Sequence, residues 1–471
     1  MTMCNLTPMC RKRLHSGNSV TLAADGIFIK PVNMRLQGLS LFGLKFALSL
    51  AIFMITMILV ILRPRNLGIG YSALIGGAAS VILGITTIPE IIQVWNIVWN
   101  ATFTFVAIII MSLIYDEVGF FEYASMKLAG LSGGSGKKFF VLMILLGAVI
   151  SAFFANDGAV LVLTPIMYSF LSRSGADRKA YLAFIMAVGF ISDTASMPFV
   201  ISNLVNIITS GYFHIDFLHY TLVMFVPYLV SVAASLGVLY AFYRKSIPSR
   251  IGTYRIQDGI IRDRAVFLSA VPVLAVLITL YAVTGLMGIP VAFIAVPAVA
   301  VLFVIVAIRG KINTGKILRE APWQIVLFSL GMYIIVYGMG ENGLISVVSG
   351  AIESFSGLWG PLPYVFSGYL FALMASVMNN LPSVMLGNLS IGFAHPGILP
   401  YVNVIANDIG PKFTPVGSLA TLLWLYTLDR KRGMKISYGY YMKVGFVLAL
   451  PVLTVTLVSL WAVSLILIGS P

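Results

Sequence analysis

Residues 401–428 read YVNVIANDIGPKFTPVGSLATLLWLYTL. From Ser418 onward the stretch has the composition of a membrane helix, yet its first half carries Asp408, Lys412, Pro411 and Pro415. A charge at the centre of a bilayer costs about 2.5–3.5 kcal/mol on insertion scales. A proline inside a helix removes a backbone donor and clashes with the preceding turn. Together they imply a helix interrupted at membrane depth, with the freed backbone groups facing protein or a water-filled cavity rather than lipid.

The rest of the chain supports a membrane setting. Of 471 residues, 59% are hydrophobic and only 10% charged, with mean hydropathy +0.99. A soluble domain carries about a quarter charged residues. Apolar runs predict spans over 42–62, 69–86, 96–115, 181–209, 217–243, 265–285, 290–308, 322–340, 400–428 and 445–469. Two stretches, 139–172 and 363–394, are each a pair of short apolar arms around a polar tip, the pattern of re-entrant hairpins. No alternating barrel pattern is present, so the expected class is an all-α integral membrane protein.

The net charge of +14 could suggest a nucleic-acid partner, but its distribution excludes one. With the loop after the first span placed inside, 23 of the 30 Lys and Arg fall on the inner side, and the outer loops 87–95, 210–216, 286–289, 341–362 and 395–399 hold none. That is the positive-inside bias of a multi-spanning protein. The first 41 residues carry Arg11, Lys12, Arg13, Lys30 and Arg35 against the rule; a disordered tail without function is expected there, with Met34 an alternative start. Cys4 and Cys10 are the only cysteines and lie in that tail, so the membrane part has neither a disulfide framework nor a thiolate metal site. His214, His219 and His395 have no ligand spacing, and GLSGGSGKK at 130–138 lacks the strand–loop–helix frame of a P-loop. No cofactor is expected.

The pattern occurs twice. Residues 42–243 hold three spans, the hairpin 139–172 and two spans; residues 265–471 hold the same series with the hairpin 363–394. The basic linker 244–264, RKSIPSRIGTYRIQDGIIRDR, joins them on the inside, so the halves are expected to be inverted copies of five transmembrane helices plus one re-entrant hairpin each, with discontinuous helices at the midplane. That is the architecture of secondary transporters. Laying Asp193 on Asp408 puts SDTASMPFVISNLVN on NDIGPKFTPVGSLAT and Asn203 on Ser418, and the tips FANDGAVLVLTP and VMNNLPSVMLGN correspond.

Candidate substrate-binding residues are therefore Asn156, Asn203, Asn206, Asn379, Asn380, Thr414 and Ser418; candidate proton carriers are Asp157, Asp193 and Asp408, with Lys412 as counter-charge. Intramembrane ionisable groups are functional by default. The bland alternatives are an i, i+4 staple between Asp408 and Lys412 and asparagines acting as interhelical glue. Asp116 and Glu117 end the third span at the inner surface, and Trp95, Trp99 and Trp323 read as interface anchors.

At LGIGYSALIGG (67–77), FANDGAVLVLTP (154–165), SDTASMPFVISNLVNI (192–207), MNNLPSVMLGNLSI (378–391) and GPKFTPVGSLATLLWL (410–425) the sequence resembles the bacterial arsenite/antimonite efflux permeases of the ArsB type, within the ion transporter superfamily. The likeness runs from about residue 50 to the C-terminus. It implies a plasma-membrane pump that expels arsenite or antimonite with the proton gradient. It also implies a scaffold domain, a mobile domain carrying the hairpins and, in some organisms, a soluble arsenite-stimulated ATPase subunit. The chemistry agrees: arsenous acid is neutral at pH 7 and suits hydrogen-bonding Asn, Ser and Thr, whereas thiolates would hold it too long. Left open are a sodium/proton antiporter or dicarboxylate carrier of the same superfamily, although the tips lack an SNT pattern, and a channel or membrane anchor. No HExxH or Ser–His arrangement points to an enzyme.

Overall fold

The computed structural model describes residues 43–173, 177–251, 259–392, 396–432 and 434–467. The expected tail, part of the basic linker, His395 and the side chain of Asp157 lie outside the described residues. α1 Leu44–Leu62, α2 Ile69–Ile82, α3 Ile88–Glu117 and α4 Phe120–Leu131 lead into a hairpin of α5 Gly136–Phe154 and α6 Asn156–Arg173. α7 Arg178–Thr194 and α8 Leu204–Tyr212 flank a break, and α9 Phe217–Tyr243 follows. The series then recurs with one short addition: α10 Arg264–Gly285, α11 Ala292–Arg309, α12 Thr314–Glu320, α13 Trp323–Met339 and α14 Ile345–Phe355. A second hairpin, α15 Leu362–Met378 and α16 Asn380–Ile391, precedes a broken helix, α17 Leu399–Ile409 and α18 Leu419–Arg432, and the last helix, α19 Tyr438–Leu467.

Among the described residues, eight helical stretches are long and apolar enough to cross a membrane. Residues such as Leu268 on α10 and Val301 on α11 are exposed and present the apolar surface that lipid requires. The interior packs through small residues, as membrane helices do in the absence of a hydrophobic drive between them. α2 crosses α13 where a Cβ at Gly331 would collide with the backbone of Ala73.

Three segments differ from the sequence expectation. Residues 88–95, expected as an outer loop, are the first turns of α3; the Thr87 N–H donates to Glu90 Oε2 at 2.6 Å in a capping box. Helices α4 and α14 were expected as loop, and each follows a glycine in the left-handed region, Gly119 (φ 91°) and Gly343 (φ 128°). They have 12 and 11 residues and carry charges, so a search for spans passes over them.

The end of the basic linker is held by charge. Glu117 pairs with Arg262 and accepts from Lys316 Nζ at 2.8 Å, binding α3 to α12. Asp263 caps α10 through the N–H groups of Ala265 and Val266 and accepts from Arg309 Nε at 2.5 Å and Nη2 at 2.9 Å. Hydrogen bonding to Arg309 lowers the Asp263 carboxyl from its ordinary 3.8 to about 2. A depressed carboxyl stabilises the fold above its unfolded value and loses that contribution only as pH falls through its folded value. Asp263→Ala should therefore lower the thermal stability of the detergent-solubilised protein by about 1 kcal/mol, the usual worth of a cap. The gap from wild type should stay constant between pH 5 and pH 8; a gap that narrows by pH 5 would contradict the assignment.

Candidate functional site

The two breaks share one backbone course. With Asp193 laid on Asp408, extended Phe199 (φ −121°, ψ 152°) falls on Thr414 (φ −138°, ψ 155°). The single 3₁₀ turn Val200–Ser202 falls on Pro415–Gly417, and the N-cap Asn203 (φ −151°) falls on Ser418 (φ −135°). The tips also match: Ala155 (φ 63°, ψ 144°) and Asn379 (φ 80°, ψ 150°) both occupy the left-handed side between the arms. The register this sets places Asn156 on Asn380, one residue away from a direct pairing of the two tip dipeptides.

Each hairpin's first arm is tied to the break that follows it in sequence. Ser151 Oγ donates to Ser192 O, and Ser202 Oγ donates to Ala152 O at 2.5 Å. Ser376 Oγ donates to Gly410 O at 2.9 Å, and Thr414 Oγ1 donates to Ser376 O at 2.6 Å. Asn206 Nδ2 donates to Ser196 O at 2.8 Å and Phe199 O at 3.0 Å; Asn379 Nδ2 donates to Val416 O at 3.1 Å. These carboxamides hold carbonyls of the broken segments, one of which, Phe199 O, also accepts the Ser202 N–H at 3.1 Å.

The charged groups pair between the two halves. Lys412 Nζ lies 2.6 Å from Asp193 Oδ2 and donates to Gly189 O at 2.6 Å, and both side chains are 4% exposed. Asn156 Nδ2 donates to the other Asp193 oxygen at 3.0 Å. Asn203 Nδ2 donates to Asp408 Oδ1 at 2.6 Å. Asp408 is fully buried, and its Oδ2 has no hydrogen-bond partner among the described residues.

The local staple between Asp408 and Lys412 is not formed. Gly410–Phe413 is a 3₁₀ turn, so residue i+4 no longer sits above residue i, and Lys412 is turned onto α7. α19 holds it there: a Cβ at Gly445 would collide with the Lys412 carbonyl.

Of the expected site residues, Asn156, Asp193 and Lys412 form one cluster and Asn203 and Asp408 another. Asn206, Asn379 and Thr414 shape the breaks, and Asn380 and Ser418 are buried at the starts of α16 and α18. Sequence reasoning missed a buried amide ladder. Asn407 Nδ2 donates to Asn403 Oδ1 at 2.8 Å, Asn403 Nδ2 to Asn388 Oδ1 at 2.9 Å, and Asn388 Nδ2 to Thr209 Oγ1 at 3.2 Å. The i, i+4 spacing of Asn403 and Asn407 was its one local signal. The Trp424 Nε1 bond to Thr164 Oγ1, at 2.9 Å, had none.

Interrupted helices, helical hairpins and buried charge define a multi-pass helical membrane protein. The fold matches the crystal structure of the Alcanivorax borkumensis YdaH transporter with a TM-score of 0.50 at 14% identity, covering 91% of this chain and 99% of that one. Residues 48–464 match the family model described as arsenical pump membrane protein, ArsB, and the chain belongs to that family. It is 46% identical to arsenical pump membrane proteins of Escherichia coli and Yersinia enterocolitica, over 87% of this chain and 97% of each relative. A putative arsenical pump membrane protein of Bacillus subtilis is 27% identical over 84% of this chain and 95% of that one. The chain is accordingly a multi-pass integral membrane protein, of the inner membrane in a bacterial cell.

Removing one partner of a buried ion pair strands the other charge, typically at about 3–5 kcal/mol. Lys412→Ala should cost that much in thermal stability, and the double variant Asp193→Asn, Lys412→Met should recover most of it. Measurement of unfolding in detergent checks this; a double variant no more stable than Lys412→Ala would show that the pair is not the source of the loss.

Proposed function

We propose that this protein expels arsenite and antimonite from the cytoplasm, as neutral trihydroxides, in exchange for protons, and that its halves 42–243 and 265–471 are inverted repeats. Family membership supports the substrate class. The relatives are described as arsenical pump membrane proteins, and the membrane part contains no cysteine that would trap trivalent arsenic. The observation that carries the coupling is Asp408 Oδ2: a fully buried carboxylate oxygen without a hydrogen-bond partner among the described residues, in a chain that gives its counterpart Asp193 an ammonium. The residue that matches Lys412 in the first half is Met197, so Asp408 receives no cation from the corresponding position.

A buried carboxylate lacking a cation is stable when it binds a proton or a hydrogen-bond donor. Arsenous acid brings three O–H donors. An O–H donated to Oδ2 and a proton bound to Oδ2 exclude one another, and mutual exclusion at one atom is what exchange requires. Asn203 orients the carboxylate from its other oxygen. Asn156, Asn206, Asn379, Asn380, Thr414 and Ser418 supply further donors and acceptors around the breaks. Asp193, held by Lys412, keeps the site near neutrality while Asp408 cycles, and Asp157 is a further candidate carrier.

Everted membrane vesicles test the reading. Arsenite uptake should require an imposed proton gradient and collapse with an uncoupler. Asp408→Asn should abolish gradient-driven accumulation while membrane abundance is retained. If Asp408→Asn keeps full proton-driven uptake, the assignment of the carrier is wrong; uptake indifferent to the uncoupler overturns exchange itself.

A further inference from the structure

The matched registers of the tips and breaks place two hydrogen bonds at corresponding positions. Counting from the tip, Thr164 matches Asn388; counting from the N-cap after the break, Trp424 matches Thr209. Trp424 Nε1 donates to Thr164 Oγ1 at 2.9 Å, and Asn388 Nδ2 donates to Thr209 Oγ1 at 3.2 Å. Each bond therefore joins the second arm of one hairpin to the second half of the broken helix from the other repeat. All four side chains are buried. Chemically the two bonds have little in common, an indole on a hydroxyl and an amide on a hydroxyl, yet they occupy the same place.

Their positions along the membrane differ. α6 and α18 run from tip and break toward the basic inner segments holding Arg178, Lys179 and Lys435, whereas α16 and α8 run toward outer segments without Lys or Arg. Each bond also leads to the charged site. On the inner side the Trp424 indole covers Gly189, where a Cβ would lie 3.0 Å from the ring, and the Gly189 carbonyl accepts from Lys412. On the outer side Asn388 continues through Asn403 to Asn407, the neighbour of Asp408.

We propose that Thr164–Trp424 and Thr209–Asn388 are the inner and outer latches of the transport path, positioning residues that hold the hairpins shut on opposite sides of the site. This rests on the transport reading above. In it, the inner latch senses Lys412 through Gly189, and the outer latch senses Asp408 through the asparagine ladder. Opening on one side requires one latch to break while the other holds.

The test uses a chain with Cys4→Ser and Cys10→Ser and a reporter, Ser196→Cys, at the buried break beside Asn203. A membrane-impermeant maleimide is applied to intact cells for the outer side and to everted vesicles for the inner side, without arsenite. Thr209→Val removes the outer latch. Gly387→Ala reaches the same end by sterics, because its Cβ would collide with the Asn403 carboxamide. Both should raise outer labelling and lower inner labelling by about fivefold, the shift that loss of one neutral buried hydrogen bond produces. Trp424→Phe and Gly189→Ala should do the reverse. Shifts of the same sign from both pairs, or no shift from either with the protein correctly inserted, overturn the proposal. Because labelling needs no substrate, opposite shifts in a protein that moves no arsenite would uphold the latches and refute only the transport reading.

Discussion

The ion pair of Asp193 with Lys412 is the constraint on which the rest of the site depends. Two charges are removed from water in the middle of an apolar slab, and neither is tolerated there without the other. Lys412 reaches Asp193 only because Gly410–Phe413 winds as a 3₁₀ turn and because Gly445 of α19 lets that turn approach. The glycine at 189 offers a carbonyl for the second contact of Lys412 and leaves room for the indole of Trp424. A salt bridge in such a place adds little net stability over an apolar replacement; what it adds is a fixed register between two helices that no helical hydrogen bond joins.

Around the pair, side chains meet part of the backbone's hydrogen-bonding demand. Breaking α7 from α8 and α17 from α18 strands carbonyls and amides that lipid cannot satisfy. Ser151, Ser202, Asn206, Ser376, Asn379 and Thr414 take up that demand from the hairpins and the breaks themselves. The exceptions then stand out. Asp408 Oδ2 and Asn407 Oδ1 are buried without partners on neighbouring residues. Asn206 Oδ1 is a third such atom, and unmatched acceptors are where a donor arriving from outside the chain finds its place.

Much of this was legible because membranes make polar residues costly. Asp193, Asp408, Lys412 and the prolines announced interrupted helices, the polar tips between apolar arms announced hairpins, and the breaks and tips lie where those residues put them. What the sequence could not show was pairing. The spacing of Asp408 and Lys412 suits an α-helical staple, and nothing local indicates that the intervening residues tighten into a 3₁₀ turn and send the lysine to the other half. The ladder of Asn388, Asn403 and Asn407 was hidden for a different reason: single asparagines are ordinary between membrane helices, and only three dimensions bring these three into line. α4 and α14 escaped notice because amphipathic helices of 12 and 11 residues carry too little apolar signal to be told from loop.

The contacts between the halves bear on how such a protein can move. If each half carried its own complete site, it could rearrange independently. Here the carboxylate of one half takes its ammonium from the other, and the second carboxylate takes its amide from the first. On the proposed reading, a proton arriving at Asp408 thus changes a bond that spans both repeats, through Asn203 to the break before α8. A local titration is thereby a change in the contacts between the two halves, a form of coupling that packed helices convert into motion, since such contacts switch between arrangements rather than deform continuously. The exchanged partners explain why one site made from two halves is more useful to a pump than two sites, one in each.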